Sequence, residues 1–426
     1  MNWEVWTMPR KTSCCNGTLL RSDVRHYWPA GFLYVLVWLM ILPIPLLQTA
    51  RDYLRFQSEQ TVQLAAQLHN HVYAAMTGSL VLAVLSCLIA PPSPAYVGYI
   101  DFNTLIVLFC LMLLVEGLRE ENFLQFIAVK VLSRVGTMRG MAATLVFLCF
   151  FSSMFITNDV ALITFVPLGV MMLRMAALRR KLCYTVTLMT IAANLGSMFT
   201  PIGNPQNLYL FSLSGLTLPE FLFLTGPYTV GAALLLALFV GFGYRHRQLS
   251  IRMGETVPLR WGNIVFYLVL FLLCVAAVGG FLPHPALLAV VGILLLWRNR
   301  GLFVRIDYSL ILTFVFFFIF VGNLKQFDVL QTWIGGAMAG RDRLVGVLVS
   351  QVISNVPAAM LLSGYSSDLR ELIVGVNVGG LGTLIASMAS LISYKQIANQ
   401  FPRERRHYLA VFTLLNLVFL LILYQL

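Results

Sequence analysis

Ile156-Thr157-Asn158-Asp159-Val160-Ala161, followed by Asn194-Leu195-Gly196-Ser197-Met198-Phe199-Thr200-Pro201-Ile202-Gly203-Asn204-Pro205-Gln206-Asn207, sets polar, glycine-rich sequence inside apolar segments. A second copy follows, as Ile353-Ser354-Asn355-Val356-Pro357-Ala358 and then Asn377-Val378-Gly379-Gly380-Leu381-Gly382-Thr383-Leu384-Ile385-Ala386-Ser387. Within the longer element, Asn194, Gly196, Thr200 and Ile202 match Asn377, Gly379, Thr383 and Ile385 at one constant offset. Hydrocarbon penalises unpaired backbone N–H and C=O groups, so irregular backbone at membrane depth persists only inside protein or around a cavity. Interrupted segments at corresponding places in two halves point to the binding site of a transporter.

Composition makes the membrane reading firm. Hydrophobic residues form 59% of the 426, charged residues only 11%, and mean hydropathy is +0.83. Soluble domains carry about 25% charged residues. The net charge of +12 would suit nucleic acid if it were gathered on one surface. Instead the basic residues fall in short clusters between apolar spans, the pattern of cytoplasmic loops. Five of the seven cysteines lie in or beside apolar segments, and the adjacent Cys14-Cys15 pair lacks CxxC spacing. The first apolar stretch, 30–49, is too late and too long for a cleavable signal peptide.

Thirteen apolar segments are expected, at about 30–49, 72–90, 102–118, 141–156, 160–173, 183–212, 219–243, 262–281, 284–297, 306–321, 343–365, 371–394 and 408–425. The polar tips at Thr157-Asn158-Asp159 and Ser354-Asn355 divide stretches with flanks shorter than the roughly 20 residues a span needs. Both read as re-entrant hairpins. With that topology the cytoplasmic loops hold 21 Lys plus Arg and the outer segments 8, although four of those eight sit in the 1–29 tail. Positive charge favours the inside, so the count supports the topology. The expected fold is an all-α polytopic membrane protein of two inverted repeats, each of five crossings with one re-entrant hairpin and one interrupted helix. The repeats span 30–243 and 262–426, after an N-terminal tail 1–29 and around a cytoplasmic linker 244–261. Asp101 and Asp307 open equivalent helices, and Glu116 beside Arg119 suggests an interfacial ion pair.

Chain reversal at membrane depth leaves backbone groups without helical partners. Thr157, Asn158, Ser354 and Asn355 can satisfy some, and a bound ion or substrate the others. Carbonyls at helix C-termini suit a small cation and helix N-termini an anion. The expected site therefore takes Thr157, Asn158, Asp159, Ser354 and Asn355 from the hairpins. From the interrupted spans it takes Asn194, Gly196, Ser197, Thr200, Asn204, Asn207, Asn377, Gly379, Gly380 and Thr383. Asp159 is the only acid at either tip, and an intramembrane carboxylate is a candidate for ion coupling. The six histidines fall in predicted loops or tails. No HExxH, GxSxG or P-loop is present, so neither an enzyme nor an ATP-driven pump is expected.

Thr157-Asn158-Asp159, Gly203-Asn204-Pro205-Gln206-Asn207, Ser354-Asn355-Val356-Pro357 and Val115-Glu116-Gly117-Leu118-Arg119 resemble the ion transporter superfamily, and most closely its bacterial anion-permease branch. The likeness covers nearly all of the chain from about residue 72. It implies a homodimer with a fixed scaffold and an elevator-like transport unit, in a bacterial inner membrane. Dicarboxylate symporters of that group carry two Ser-Asn-Thr tips and two Thr-Pro-Pro-Asn runs. Here each tip keeps hydroxyl then Asn but loses the Thr, and the runs are Asn204-Pro205-Gln206-Asn207 and Ser387-Met388-Ala389-Ser390. The Thr-Asn-Asp tip is similar to that of arsenite permeases. The sequence thus supports a secondary transporter of a small anion or oxyanion, coupled to H+ or Na+ (with Na+ at the Asn158 and Asn355 tips) and needing no other cofactor or metal. Cation/proton antiport and arsenite or antimonite efflux remain the alternatives, and a membrane-embedded enzyme a more distant one.

Overall fold

A computed structural model describes residues 75–176, 178–245, 247–248 and 259–426. The 1–29 tail, the 30–49 segment and most of the 244–261 linker lie outside these residues. Nineteen α-helices make up almost all of the described chain. The first four are α1 (Ala75–Ser86), α2 (Tyr96–Tyr99), α3 (Phe102–Glu120) and α4 (Phe123–Leu132). Next come α5 (Met138–Ser152), α6 (Asn158–Met175), α7 (Leu182–Ser197), α8 (Pro205–Ser214) and α9 (Leu218–Gly243). The chain continues with α10 (Trp261–Val278), α11 (His284–Asn299), α12 (Leu302–Arg305), α13 (Tyr308–Leu324) and α14 (Asp328–Met338). It ends with α15 (Asp342–Ile353), α16 (Asn355–Ser363), α17 (Leu369–Val378), α18 (Met388–Gln400) and α19 (Arg405–Tyr424).

Among the described residues five helices are long and apolar enough to cross a membrane: α3, α6, α9, α10 and the 402–424 helix containing α19. The bent pair α13 and α14, which turns by 101°, makes a sixth. Ten crossings were expected. The expected span 30–49 lies outside the described residues, α1 and α11 are short helices of 12 and 16 residues, and two expected spans are cut: α7 and α8 are 16 and 10 residues long, α17 and α18 are 10 and 13. The two hairpins also differ. At 1.5 Å per residue α15 and α16 reach about 18 and 14 Å, whereas the 18-residue α6 reaches about 27 Å, close to the depth of hydrocarbon. The second arm of the first hairpin is thus longer than its sequence flank suggested.

The outward faces are apolar, as lipid requires: Phe223, Phe242, Phe281 and Trp297 are each more than 80% exposed. Helices α3 and α13 start at side-chain caps. Asp101 Oδ1 accepts from Thr104 N at 3.2 Å, and Asp307 Oδ1 from Ser309 N at 3.0 Å. At its other end α3 carries a carboxylate clasp. Glu120 pairs with Arg305 at 3.0 Å and accepts from Asn299 at 2.9 Å. Glu121, the C-cap residue of α3, pairs with Arg260 at 3.1 Å and accepts from Asn263 at 2.7 Å, so the C-terminal end of α3 ties down α10, α11 and α12. Glu116 pairs with Arg119 at 3.4 Å.

Inside, hairpins pack on interrupted helices through glycine. A Cβ on Gly196 of α7 would stand 2.1 Å from Phe150 O and 2.5 Å from Ser153 Oγ of the first hairpin. A Cβ on Gly379 would stand 2.9 Å from Val347 Cα and 3.0 Å from Ser350 Cβ of the second. Phe150 and Ser153 lie 197 residues before Val347 and Ser350, and Gly196 lies 183 before Gly379. The same positions make the same contact twice. Gly196→Ala should therefore lower stability by at least the 1–3 kcal/mol typical of overpacking, because backbone cannot swing aside as a side chain does. Gly226→Ala, where a Cβ meets nothing, is the control, and equal melting temperatures for the two variants would refute the close-packing account.

A buried polar centre between broken helices

Helix α7 stops after Ser197, and residues 198–204 include a 3-10 turn, Pro201–Gly203, before α8 starts at Pro205. The prolines deny the backbone its helical bonds. Asn204 caps the restart, its Oδ1 accepting from Asn207 N at 2.9 Å. The carbonyls left behind gather on one amide: Asn207 Nδ2 donates to Ser197 O, Met198 O and Thr200 O at 3.4, 3.1 and 3.3 Å. In the second copy α17 stops after Val378 and α18 restarts at Met388. Each break is fastened to its hairpin by a threonine. Thr200 Oγ1 donates to Met154 O, and Thr383 Oγ1 to Gln351 O at 3.0 Å. Met154 and Gln351 again stand 197 residues apart.

The two copies meet through two asparagines. Asn194 Oδ1 accepts from Asn158 Nδ2 at 3.0 Å and from Ser387 Oγ at 2.9 Å. Its Nδ2 donates to Gly380 O and Ser390 Oγ, both at 3.4 Å. Asn377 Oδ1 accepts from Asn204 Nδ2 at 3.2 Å, and its Nδ2 donates to Asn207 Oδ1 at 2.5 Å and Ile373 O at 2.7 Å. The offset of 183 that relates Asn194 to Asn377 also relates Asn204 to Ser387 and Asn207 to Ser390. Each central asparagine thus bonds the restart of the other copy's broken helix. Asn194, Asn204, Asn207, Asn377, Ser387 and Ser390 are all at least 95% buried.

The expected site residues divide into three groups. Asn158, Asn194, Ser197, Asn204, Asn207, Asn377 and Gly380 form the centre. Asn355 adjoins it, since a Cβ on Gly380 would lie 3.0 Å from Asn355 Nδ2, and Asn355 N donates to Ala386 O at 2.9 Å. Thr200, Thr383, Gly196 and Gly379 lie where breaks and hairpins are joined. Thr157, Asp159 and Ser354 line the tips. Thr157 precedes α6 without a side-chain cap bond, and Asn158 Oδ1 accepts from Asp159 N at 3.0 Å. Asp159 Oδ1 is buried without a hydrogen-bond partner, so its carboxylate caps nothing. Ser354 holds φ +76°, one of two non-glycine residues with positive φ among the described residues, a strain of about 1–3 kcal/mol. Among the described residues no three His, Cys, Asp or Glu side chains come together as metal ligands would.

Sequence reasoning left out Ser387, Ser390 and Gln351. The first two were within reach, because the offset that pairs Asn194 with Asn377 carries Asn204 and Asn207 onto them. Beyond them the polar seam continues, with Thr190 Oγ1 donating to Ser393 Oγ at 2.8 Å. Thr187, Thr190 and Asn194 share one face of α7, and Ser390, Ser393 and Gln396 one face of α18.

Apolar helices in this number, two of them broken where buried amides converge, describe a multi-pass membrane transporter. The family model for citrate transporters, CitMHS, matches residues 64–371, and the chain belongs to that family. An uncharacterized transporter of Methanocaldococcus jannaschii is 32% identical over 299 residues, covering 70% of this chain and 81% of that one. The inner membrane protein YbiR of Escherichia coli is 32% identical over 304 residues, covering 70% and 80%. A 46 kDa membrane protein of Mycobacterium leprae is 24% identical over 382 residues, covering 77% and 86%.

Proposed function

We propose that the chain is a secondary active transporter of a small anion or oxyanion, coupled to H+ or Na+ and acting without covalent chemistry. The observation that carries this reading is the reciprocal bonding of Asn194 and Asn377. It gathers the N-termini of α6, α8 and α18 on one buried polar centre, with α16 one bond away through Asn355 and Ala386. Helix N-termini present N–H groups and positive partial charge, which favour an anion. The family's citrate name makes carboxylates the first substrates to test, and the Thr157-Asn158-Asp159 tip adds arsenite.

The repeated contacts at Gly196 and Gly379, and at Thr200 and Thr383, support two repeats of like design. With five crossings each the repeats are inverted, and the hairpins are re-entrant from opposite sides. In this reading each hairpin moves with the broken helix it is fastened to. The α3 clasp holds α10 to α12 as scaffold, so access alternates by an elevator motion in a homodimer of the bacterial inner membrane. The unpartnered Asp159 carboxyl also suits cation/proton antiport. Proteoliposomes separate the two. Imposed H+ or Na+ gradients should drive accumulation of citrate, succinate or arsenite and collapse with the matching ionophore. Sodium-driven proton movement with no anion uptake would instead establish antiport.

A further inference from the structure

One side chain closes the second break. Gln351 lies three residues before the strained tip at Ser354, and its Nε2 donates to Gly379 O at 2.7 Å, Leu381 O at 2.9 Å and Val347 O at 3.2 Å. Its Oε1 accepts from Thr383 N at 2.8 Å. These partners fix the amide's orientation, since three carbonyls require N–H and the Thr383 amide requires oxygen. Gly379 and Leu381 lie just beyond the end of α17, where no helical N–H is in place to serve their carbonyls. Gly382 leaves room for the side chain. It holds φ +106°, and a Cβ there would lie 2.2 Å from Oε1.

Three carbonyl oxygens aimed at one point make an environment for positive charge. Unwound carbonyls coordinate Na+ in transporters with broken helices, and rings of carbonyls replace the hydration of K+ in channels. Here the point holds the partly positive NH2 of an amide that is covalently part of the hairpin. We propose that Gly379 O and Leu381 O, with Val347 O, form a monovalent-cation site of carbonyl type whose occupant is the Gln351 amide. The side chain is a tethered substitute for an ion. It closes the second hairpin on its broken helix without cation binding.

The first half is built otherwise. Met154, at the position matching Gln351, carries a thioether with no donor. The carbonyls of the first break are served from α8 by Asn207, at 3.1 to 3.4 Å. The functional consequence, which rests on the transporter reading, is that the second break adds no ion to the transport cycle.

Thermal unfolding of the purified full chain tests the site without measuring transport, so the outcome is independent of the anion reading. Wild type, Gln351→Ala and Gln351→Lys are melted in choline, sodium and potassium chloride at equal ionic strength. Gln351→Ala should melt below wild type in choline. It should gain at least about 3 °C more than wild type does when sodium or potassium replaces choline. Gln351→Lys, which tethers an ammonium at the same place, should keep the wild-type melting temperature in choline and show no extra gain. If the alanine variant folds only with sodium or potassium, that recovery is the same response. Equal destabilisation of Gln351→Ala in all three salts would overturn the proposal. So would its failure to fold in any of them, or Gln351→Lys melting as low as Gln351→Ala in choline.

Discussion

Asn194→Ala should reduce uptake in proteoliposomes at least about tenfold while the protein still folds. The substitution removes the acceptor shared by Asn158 Nδ2 and Ser387 Oγ and the donor to Gly380 O and Ser390 Oγ. A buried group left unpaired costs about 1–3 kcal/mol in soluble proteins. Interhelical hydrogen bonds measured within membranes average only about 0.6 kcal/mol. The lower figure governs a lipid-embedded bundle, so a total loss of about 1–3 kcal/mol leaves a folded protein with native stability of about 5–15 kcal/mol. The effect on transport is larger because Asn194 sets three helix ends relative to one another, and a displacement of about 1 Å there removes the alignment a ligand needs. Asn377→Ala should behave alike through Asn204 and Asn207. Asn416, buried in α19 and bonded to Phe412 O at 2.8 Å, is the control. If Asn416→Ala impairs uptake as much as Asn194→Ala, the central role assigned to Asn194 is wrong.

The helices were legible because apolar runs ended at recognisable signals. Asp101, Thr217 and Asp307 start helices, while Pro201, Pro205 and the glycines after Asn377 interrupt them, and α3, α9, α10 and α11 begin and end within two or three residues of the sequence expectation. Span counting was less successful. Half-helices of 10 to 16 residues look like spans when the break between them is averaged into the same apolar window. The central asparagines stood out in sequence because polar side chains are rare there. Ser387 and Ser390 did not, since serine is common at helix contacts in membranes. Only the copy relationship distinguishes them, by setting them opposite Asn204 and Asn207. Gln351 carried no such signal. Its match is Met154, so symmetry points away from it, and its role follows from three carbonyls that become neighbours only after α15 packs on α17.

Asp159→Asn should abolish gradient-driven accumulation and leave both folding and substrate exchange in place. The carboxyl sits at the first turn of α6, where the helix N-terminus favours negative charge by up to about 2 kcal/mol. Against that, Oδ1 is buried without a hydrogen bond, and an unpaired ionised group in such surroundings costs several kcal/mol. The desolvation cost exceeds the helix contribution, so the lone charge is avoided either by a bound proton, which removes it, or by a cation beside it, which offsets it. That makes occupancy of Asp159 sensitive to the ion gradient, as a coupling residue must be. Asparagine keeps the shape and the backbone bond from residue 159 to Asn158 but carries no charge to neutralise. Its melting temperature should equal or exceed that of wild type. Counterflow exchange, which moves loaded carrier in both directions without net ion movement, should continue. Accumulation against a gradient should fall to the level of protein-free liposomes. Wild-type accumulation by Asp159→Asn would remove Asp159 from the coupling mechanism, and loss of exchange together with accumulation would move it to substrate binding.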